Sequence, residues 1–326
     1  MKRDPESLIG RHLGGRFQLE SLVGQYPYGV VFDARDLKTD KPVAVRLLLS
    51  VPPPGPQFET EARRLRALHG ELVAQLYAAV RLTDGTAGLV MAPIVGETLL
   101  DRLKRGSFSI QEALHILDHL LQALAVCHAA GVVHRDVRPE NILLTYGADP
   151  ARPALKLHGA GLVHLLAQSA TSNLGGVLYG HPLFTAPEQW VNRGVDARTD
   201  LYAVALLGFV ILLGKHFIRP GQPLNVCRQH FRALRPALTH TSRGETIPVA
   251  LASALSRAAH AEPRERFATV DLFRAELAAA RVEVPDRPPL PRLPTGEFPA
   301  LDAGTSKLDL TALEAITNEL ADAFDD

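Results

Sequence analysis

Apolar and polar residues alternate in short runs from Phe17 to Met91. This period-two pattern predicts strands at Phe17 to Val23, Gly29 to Asp33, Val43 to Leu49, Ala74 to Leu82 and Ala87 to Met91. Asp84-Gly85, between the last two, is a hairpin signal. One helical stretch interrupts the strands. Over Phe58 to Leu68, the apolar Phe58, Ala62, Leu65 and Leu68 share a face and arginines take the other. From Thr98 the period becomes helical, at Ile110 to Ala130, Ala197 to Leu213, Val249 to Ala259 and Val270 to Ala280. The pattern predicts an α+β chain, a small β-rich lobe followed by a larger helical one.

At Val284 the pattern stops. Pro285, Pro288, Pro289, Pro291, Pro294 and Pro299 favour extended chain and mark residues 284–306 as a linker. Beyond it Leu310, Leu313, Ile316, Leu320 and Phe324 recur at spacings of three and four, and Thr311 with Glu314 makes a capping box. Residues 307–326 are therefore expected to form an acidic amphipathic helix, either docked on its own lobe or carried on a tether as a protein-binding motif. The rest divides into an N-terminal extension (1–11), a small lobe (12–94) and a large lobe (95–283).

Composition narrows the function. With 46% hydrophobic residues the chain is not disordered as a whole, and 35 basic residues balancing 35 acidic ones give no bulk field to gather nucleic acid or a membrane surface. The apolar run Leu201 to Leu213 is shorter than the roughly 20 residues of a membrane span. The start is charged and no apolar run follows it, so a cytoplasmic protein is expected. Cys127 and Cys227 are too few for a disulfide framework and read as small buried hydrophobes. His115 and His119 lie four apart on one helix face with no third ligand nearby in sequence, and read as ordinary helix residues.

Between Val133 and Leu144 the chain reads His134-Arg135-Asp136-Val137-Arg138-Pro139-Glu140-Asn141-Ile142-Leu143-Leu144. Here it resembles the protein kinases, specifically bacterial Ser/Thr kinases related to the eukaryotic ones. The resemblance covers about residues 12 to 283 and implies a bilobal kinase-like fold, ATP and Mg²⁺ as cofactors, and Asp136 as base with Asn141 as metal ligand. It further implies Gly24 and Gly29 in the phosphate-covering loop, and Val31, Ala44 and Leu143 around adenine. Met91, Ala92 and Ile94 match the hinge, Glu61 the ion-pairing residue of the first helix, and Ala186-Pro187-Glu188 the close of the activation segment. Arg266 falls where the family pairs an Arg with that Glu.

Several positions depart from the family. Arg46 occupies the place of the phosphate-holding Lys, and no Lys occurs between Lys41 and Lys104. Gly159-Ala160-Gly161 replaces the metal-binding Asp and the Phe-Gly after it, and no carboxylate stands between Asp149 and Glu188. Tyr26 and Pro27 stand in the glycine-rich loop, Arg138 replaces a phosphate-contacting Lys, and His181 replaces a Thr expected beside Asp136. The leading expectation is a pseudokinase, a cytoplasmic signalling scaffold or allosteric regulator with weak, largely metal-independent nucleotide binding. Its partner would be an active kinase or another signalling protein, met through residues 307–326. The alternative is a weakly active Ser/Thr kinase using Asp136 as base, Arg46 on the phosphates and Asn141 as its metal ligand. Asp136 and Asn141 also have a purely structural reading, satisfying backbone groups of their loop. Ser169, Thr171 and Ser172 read either as phosphoacceptors facing Arg135 or as ordinary loop residues.

Overall fold

The computed structural model describes residues 4–26, 29–48, 58–82, 85–147, 149, 152–169, 177–178, 180–191, 194–232, 235–282 and 306–307. The small lobe is built on a six-stranded sheet ordered β1-β2-β3-β4-β6-β5. Its strands are β1 (His12–Leu13), β2 (Phe17–Tyr26), β3 (Gly29–Asp36), β4 (Lys41–Leu47), β5 (Leu76–Arg81) and β6 (Ala87–Met91), with helix α1 (Phe58–Arg66) between β4 and β5. Register shifts between Leu19 and Ser21 and between Leu22 and Gly24 interrupt the pairing of β2 with β3. Phe17, Leu19, Phe32, Val43 and Val45 fill one face of this sheet, together with Leu8 from the 3₁₀ turn Pro5–Leu8.

The large lobe holds β7 (Glu97–Thr98), α2 (Leu99–Lys104), α3 (Ile110–Ala129), β8 (Ile142–Thr145), β9 (Ala154–Leu157), α4 (Leu162–Ser169), β10 (Val177–Leu178), α5 (Pro187–Trp190), α6 (Ala197–Leu213), α7 (Pro223–Phe231), α8 (Val249–Ala258) and α9 (Val270–Val282). α6 is apolar all round and every residue from Thr199 to Leu212 is buried, which makes it the centre of the lobe. Gly214 closes it in the left-handed conformation, at φ 67°. α3 begins in a capping box formed by Ser109 and Glu112, and both α3 and α9 pack on α6 or its neighbours. This bilobal arrangement of a β-rich small lobe and a helical large lobe is the fold expected from the sequence.

Two local outcomes differ from the sequence reading. α4 lies in a stretch with no predicted helix and packs against α1. Lys307, expected at the start of a helix, instead stands with Ser306 in strand β11 (Ser306–Lys307), antiparallel to β10. Ladder bonds to a second strand prevail there over an isolated helix, whose nucleation is costly. The remainder of the 284–326 segment lies outside the described residues, as do Thr171 and Ser172. His115 Nε2 meets the Pro153 carbonyl at 2.9 Å and His119 Nδ1 meets the His115 carbonyl at 2.9 Å. Cys127 and Cys227 are buried free thiols, pushed up to about 12 by burial. Among the described residues no helix is long and apolar enough to cross a membrane.

Candidate active site

The irregular loop between α3 and β8 is held from below by one carboxylate on α6. Asp200 Oδ2 accepts the His134 amide at 2.8 Å and lies 2.7 Å from His128 Nε2, while Oδ1 accepts the Arg135 amide at 2.8 Å. These bonds hold Arg135 at φ 66°, a left-handed conformation rare for a side chain of that size. His134 carries the order onward. Its Nδ1 accepts the Asp136 amide at 3.2 Å, and Nε2 faces the His158 carbonyl at 2.9 Å, so the neutral tautomer protonated at Nε2 satisfies both. Burial pushes this imidazole down from its ordinary pKa, in keeping with that neutral form.

Asp136 is 6% exposed. Its Oδ2 accepts Asn141 Nδ2 at 2.9 Å and pairs with Arg138 Nε at 3.3 Å, and the same Asn141 amide donates to the Asp136 carbonyl at 2.7 Å. Oδ1 is buried with no hydrogen-bond partner among the described residues. It faces Gly180, where an added Cβ would stand 3.8 Å from it and 3.3 Å from Thr185 Oγ1, so the backbone packs closely on the unpartnered side of the carboxylate. An Asp with one oxygen fixed and the other unsatisfied is arranged to accept a hydroxyl proton.

Val31 on β3, Ala44 on β4 and Leu143 on β8 are buried, and Ala44 pairs with Met91 across β4 and β6. The Ala92 amide already donates to the Gln75 carbonyl at 2.9 Å, so a hinge contact through Ala92 falls to its carbonyl. Ile94 follows, half-buried. Gly24 pairs with Val31, and Gly29 begins β3 at a place where a Cβ would stand 1.8 Å from the Leu47 carbonyl oxygen, so only glycine fits. The side chain of Tyr26, and both Pro27 and Tyr28, lie outside the described residues.

Arg46 is 5% exposed on β4, opposite Val31 and Leu89, and lines a cavity of about 40 Å³ with Leu65, Gly159 and Ala160. Its positive charge adds to burial in holding His158 down at about 3. Glu61 stands on α1, but its side chain lies outside the described residues. Gly159 follows His158 at φ 84°, and its Cβ position is 3.5 Å from Asn141 Nδ2 and 3.7 Å from Oδ1. Gly161 packs so closely on α1 that a Cβ would meet Leu65 Cδ2 at 2.4 Å. No group of three or more His, Cys, Asp or Glu able to hold a metal occurs among the described residues. Beside Gly159 the described side-chain oxygens are Asn141 Oδ1 and the Asp136 carboxylate, and position 159 itself supplies none.

His181 is buried beside Asp136 and Arg138, its Nδ1 accepting the Leu183 amide at 3.3 Å. Burial, then the Arg138 charge, pushes it down to about 4. Below it, Glu188 of α5 forms a bidentate pair with Arg266 at 2.7 and 2.8 Å, and Thr199 donates to the same carboxylate at 2.8 Å. Sequence reasoning found this pair but missed Asp200's three contacts, which join positions more than sixty residues apart.

The protein kinase domain family model matches residues 17–277, which includes the base loop, the small-lobe sheet and the Glu188–Arg266 pair. The chain belongs to the protein kinase family. It is 27% identical over 320 residues to the serine/threonine-protein kinase PknB of Mycobacterium leprae, covering 95% of this chain and 50% of that one. It is 32% identical over 286 residues to the kinase pkn2 of Myxococcus xanthus (85% and 33%), and 30% identical over 239 residues to the kinase PknA of Mycobacterium tuberculosis (71% and 54%). This kinase-family chain spans about half or less of the length of these relatives.

Proposed function

We propose that this protein kinase family member has a strongly attenuated phosphoryl transfer and acts in cytoplasmic signalling as a scaffold or allosteric regulator. One observation carries the reading. Gly159 stands against Asn141 where an Asp would complete the metal site, so the charge of a triphosphate would go without its metal counter-ion. Arg46 adds to the loss, because a wide planar guanidinium does not present a compact ammonium to a phosphate. Nucleotide binding is then weak and mostly through adenine, between Val31, Ala44 and Leu143 and along Met91 to Ile94. The buried free cysteines support a reducing compartment.

A second reading is a weakly active Ser/Thr kinase with Asp136 as base, Arg46 and Arg138 toward the phosphates, and Asn141 as its metal-facing side chain. The unsatisfied Asp136 Oδ1 favours it. So do the relatives, each named as a serine/threonine kinase. Thermal shift with adenosine and with ATP, each with and without Mg²⁺, separates the two. Small, metal-independent and similar shifts support attenuation; a large shift that needs Mg²⁺ together with ATP supports the active enzyme.

A further inference from the structure

Away from the cleft, the small lobe carries a second cavity, of about 740 Å³, between the C-terminal end of α1 and the edge of the sheet. Lys41, Arg63 and Arg66 stand around it, and among the described residues no carboxylate lies within ion-pair distance of any of the three. Asp36 also lines it, but that carboxylate is taken up by Arg16 at 2.7 Å. Apolar surface is present as well, since Tyr77 on β5 is 39% exposed within the lining and Pro42 is exposed beside it. The cavity thus offers an apolar patch rimmed by unpaired cations.

The sequence contains a segment of the complementary kind. Residues 308–326 carry Leu310, Leu313, Ile316, Leu320 and Phe324 at helical spacing, together with Asp309, Glu314, Glu319, Asp322, Asp325 and Asp326 and no basic residue. The start of that segment is anchored to the body of the protein. Ser306 and Lys307 pair antiparallel with Leu178 and Val177, and α4, the helix preceding that strand in the chain, packs against α1. A helix over 310–324 is roughly 22 Å long at about 1.5 Å per residue, the scale of one face of the small lobe.

We infer that residues 308–326 dock in cis on this basic cavity as an amphipathic helix, the apolar stripe on Tyr77 and Pro42 and the carboxylates on Lys41, Arg63 and Arg66. Charge complementarity selects this occupant over a neutral peptide, and the β10–β11 ladder raises its local concentration. The docked helix braces the end of α1, the helix that carries Glu61.

The test uses the full chain and limited chymotrypsin digestion, with cleavage after the Leu and Phe residues of 308–326 followed by mass spectrometry. Cleavage of a docked segment tracks its undocked population. Arg63→Glu with Arg66→Glu is expected to accelerate this cleavage at least about tenfold, and so is Glu319→Lys with Asp322→Lys. Combining the two reversals is expected to restore protection. The tail reversal lies outside the kinase fold, so its result stands even where the arginine reversal lowers the melting temperature. Cleavage unchanged by either reversal, or not restored by the combination, overturns the proposal. Protection that grows with protein concentration also overturns it, because docking would then be in trans.

Discussion

The Cβ position of Gly159 is 3.5 Å from the Asn141 amide nitrogen, so a side chain there would lean directly on the residue that holds Asp136. Installing the missing groups with Gly159→Asp and Arg46→Lys is therefore expected to create Mg²⁺-dependent stabilisation by ATP. An Asp at φ 84° costs about 1–2 kcal/mol of backbone strain, which lowers the melting temperature of the variant without nucleotide. Thermal shift checks both effects, and a variant that gains no Mg²⁺-dependent shift means that other elements also block the metal.

Asp200 is expected to be among the most sensitive positions in the large lobe. Asp200→Ala leaves the His134 and Arg135 amides unsatisfied in a buried place and releases Arg135 from φ 66°. At about 1–3 kcal/mol for each of the two orphaned donors, a loss of about 2–6 kcal/mol is expected in urea unfolding. Asp200→Asn, which keeps an acceptor oxygen, is expected to lose less.

The Glu188–Arg266 pair is buried, and Arg266 also lies over the Tyr202 ring at 4.7 Å. Arg266→Met strands a carboxylate in the interior and is expected to cost about 3–5 kcal/mol. Adding Glu188→Gln to that variant removes the stranded charge and is expected to recover part of the loss. A double-mutant cycle by urea denaturation measures the coupling.

Four imidazoles, three buried and that of His216 half-buried, give the fold an acid limit. Burial holds His158 and His216 down at about 3 and His181 and His230 at about 4, against about 6.5 in an unfolded chain. Below pH 6.5 the unfolded state binds more protons than the folded one. The stability they contribute is therefore fully present above that pH and lost as pH falls toward 4 and then 3. Each contributes a slope of up to about 1.4 kcal/mol per pH unit in that window. Melting temperatures from pH 7.5 to 4.5 check this, and a flat profile below 6.5 contradicts it.

Long, strongly patterned elements were legible in the sequence. The central helix reads as Ala197 to Leu213 in both sequence and structure, because the apolar run Leu201 to Leu213 is preceded by the N-cap Asp196 and closed by Gly214. The base loop was readable from its motif, and so was the Glu188–Arg266 pair. The α4 helix was not, since Leu162 to Ser169 becomes helical where it packs on α1, a contact no local pattern carries. Strand β11 was missed for the same reason, its partner lying far away in the chain. Asp200's hold on the base loop was not legible, because its partners there are backbone amides and leave no mark in residue type.

The central claim, that phosphoryl transfer is attenuated because the metal-binding carboxylate is absent, is tested most directly by turnover of the full chain. Radiolabelled ATP and Mg²⁺ with a generic protein substrate would be compared for the wild-type chain and Asp136→Asn. Ordinary kinases turn over at about 1–100 s⁻¹. The account predicts transfer at least about a thousandfold slower, a loss of ~4 kcal/mol in transition-state stabilisation. Turnover in the ordinary range, abolished by Asp136→Asn, would contradict it and establish the chain as an active Ser/Thr kinase.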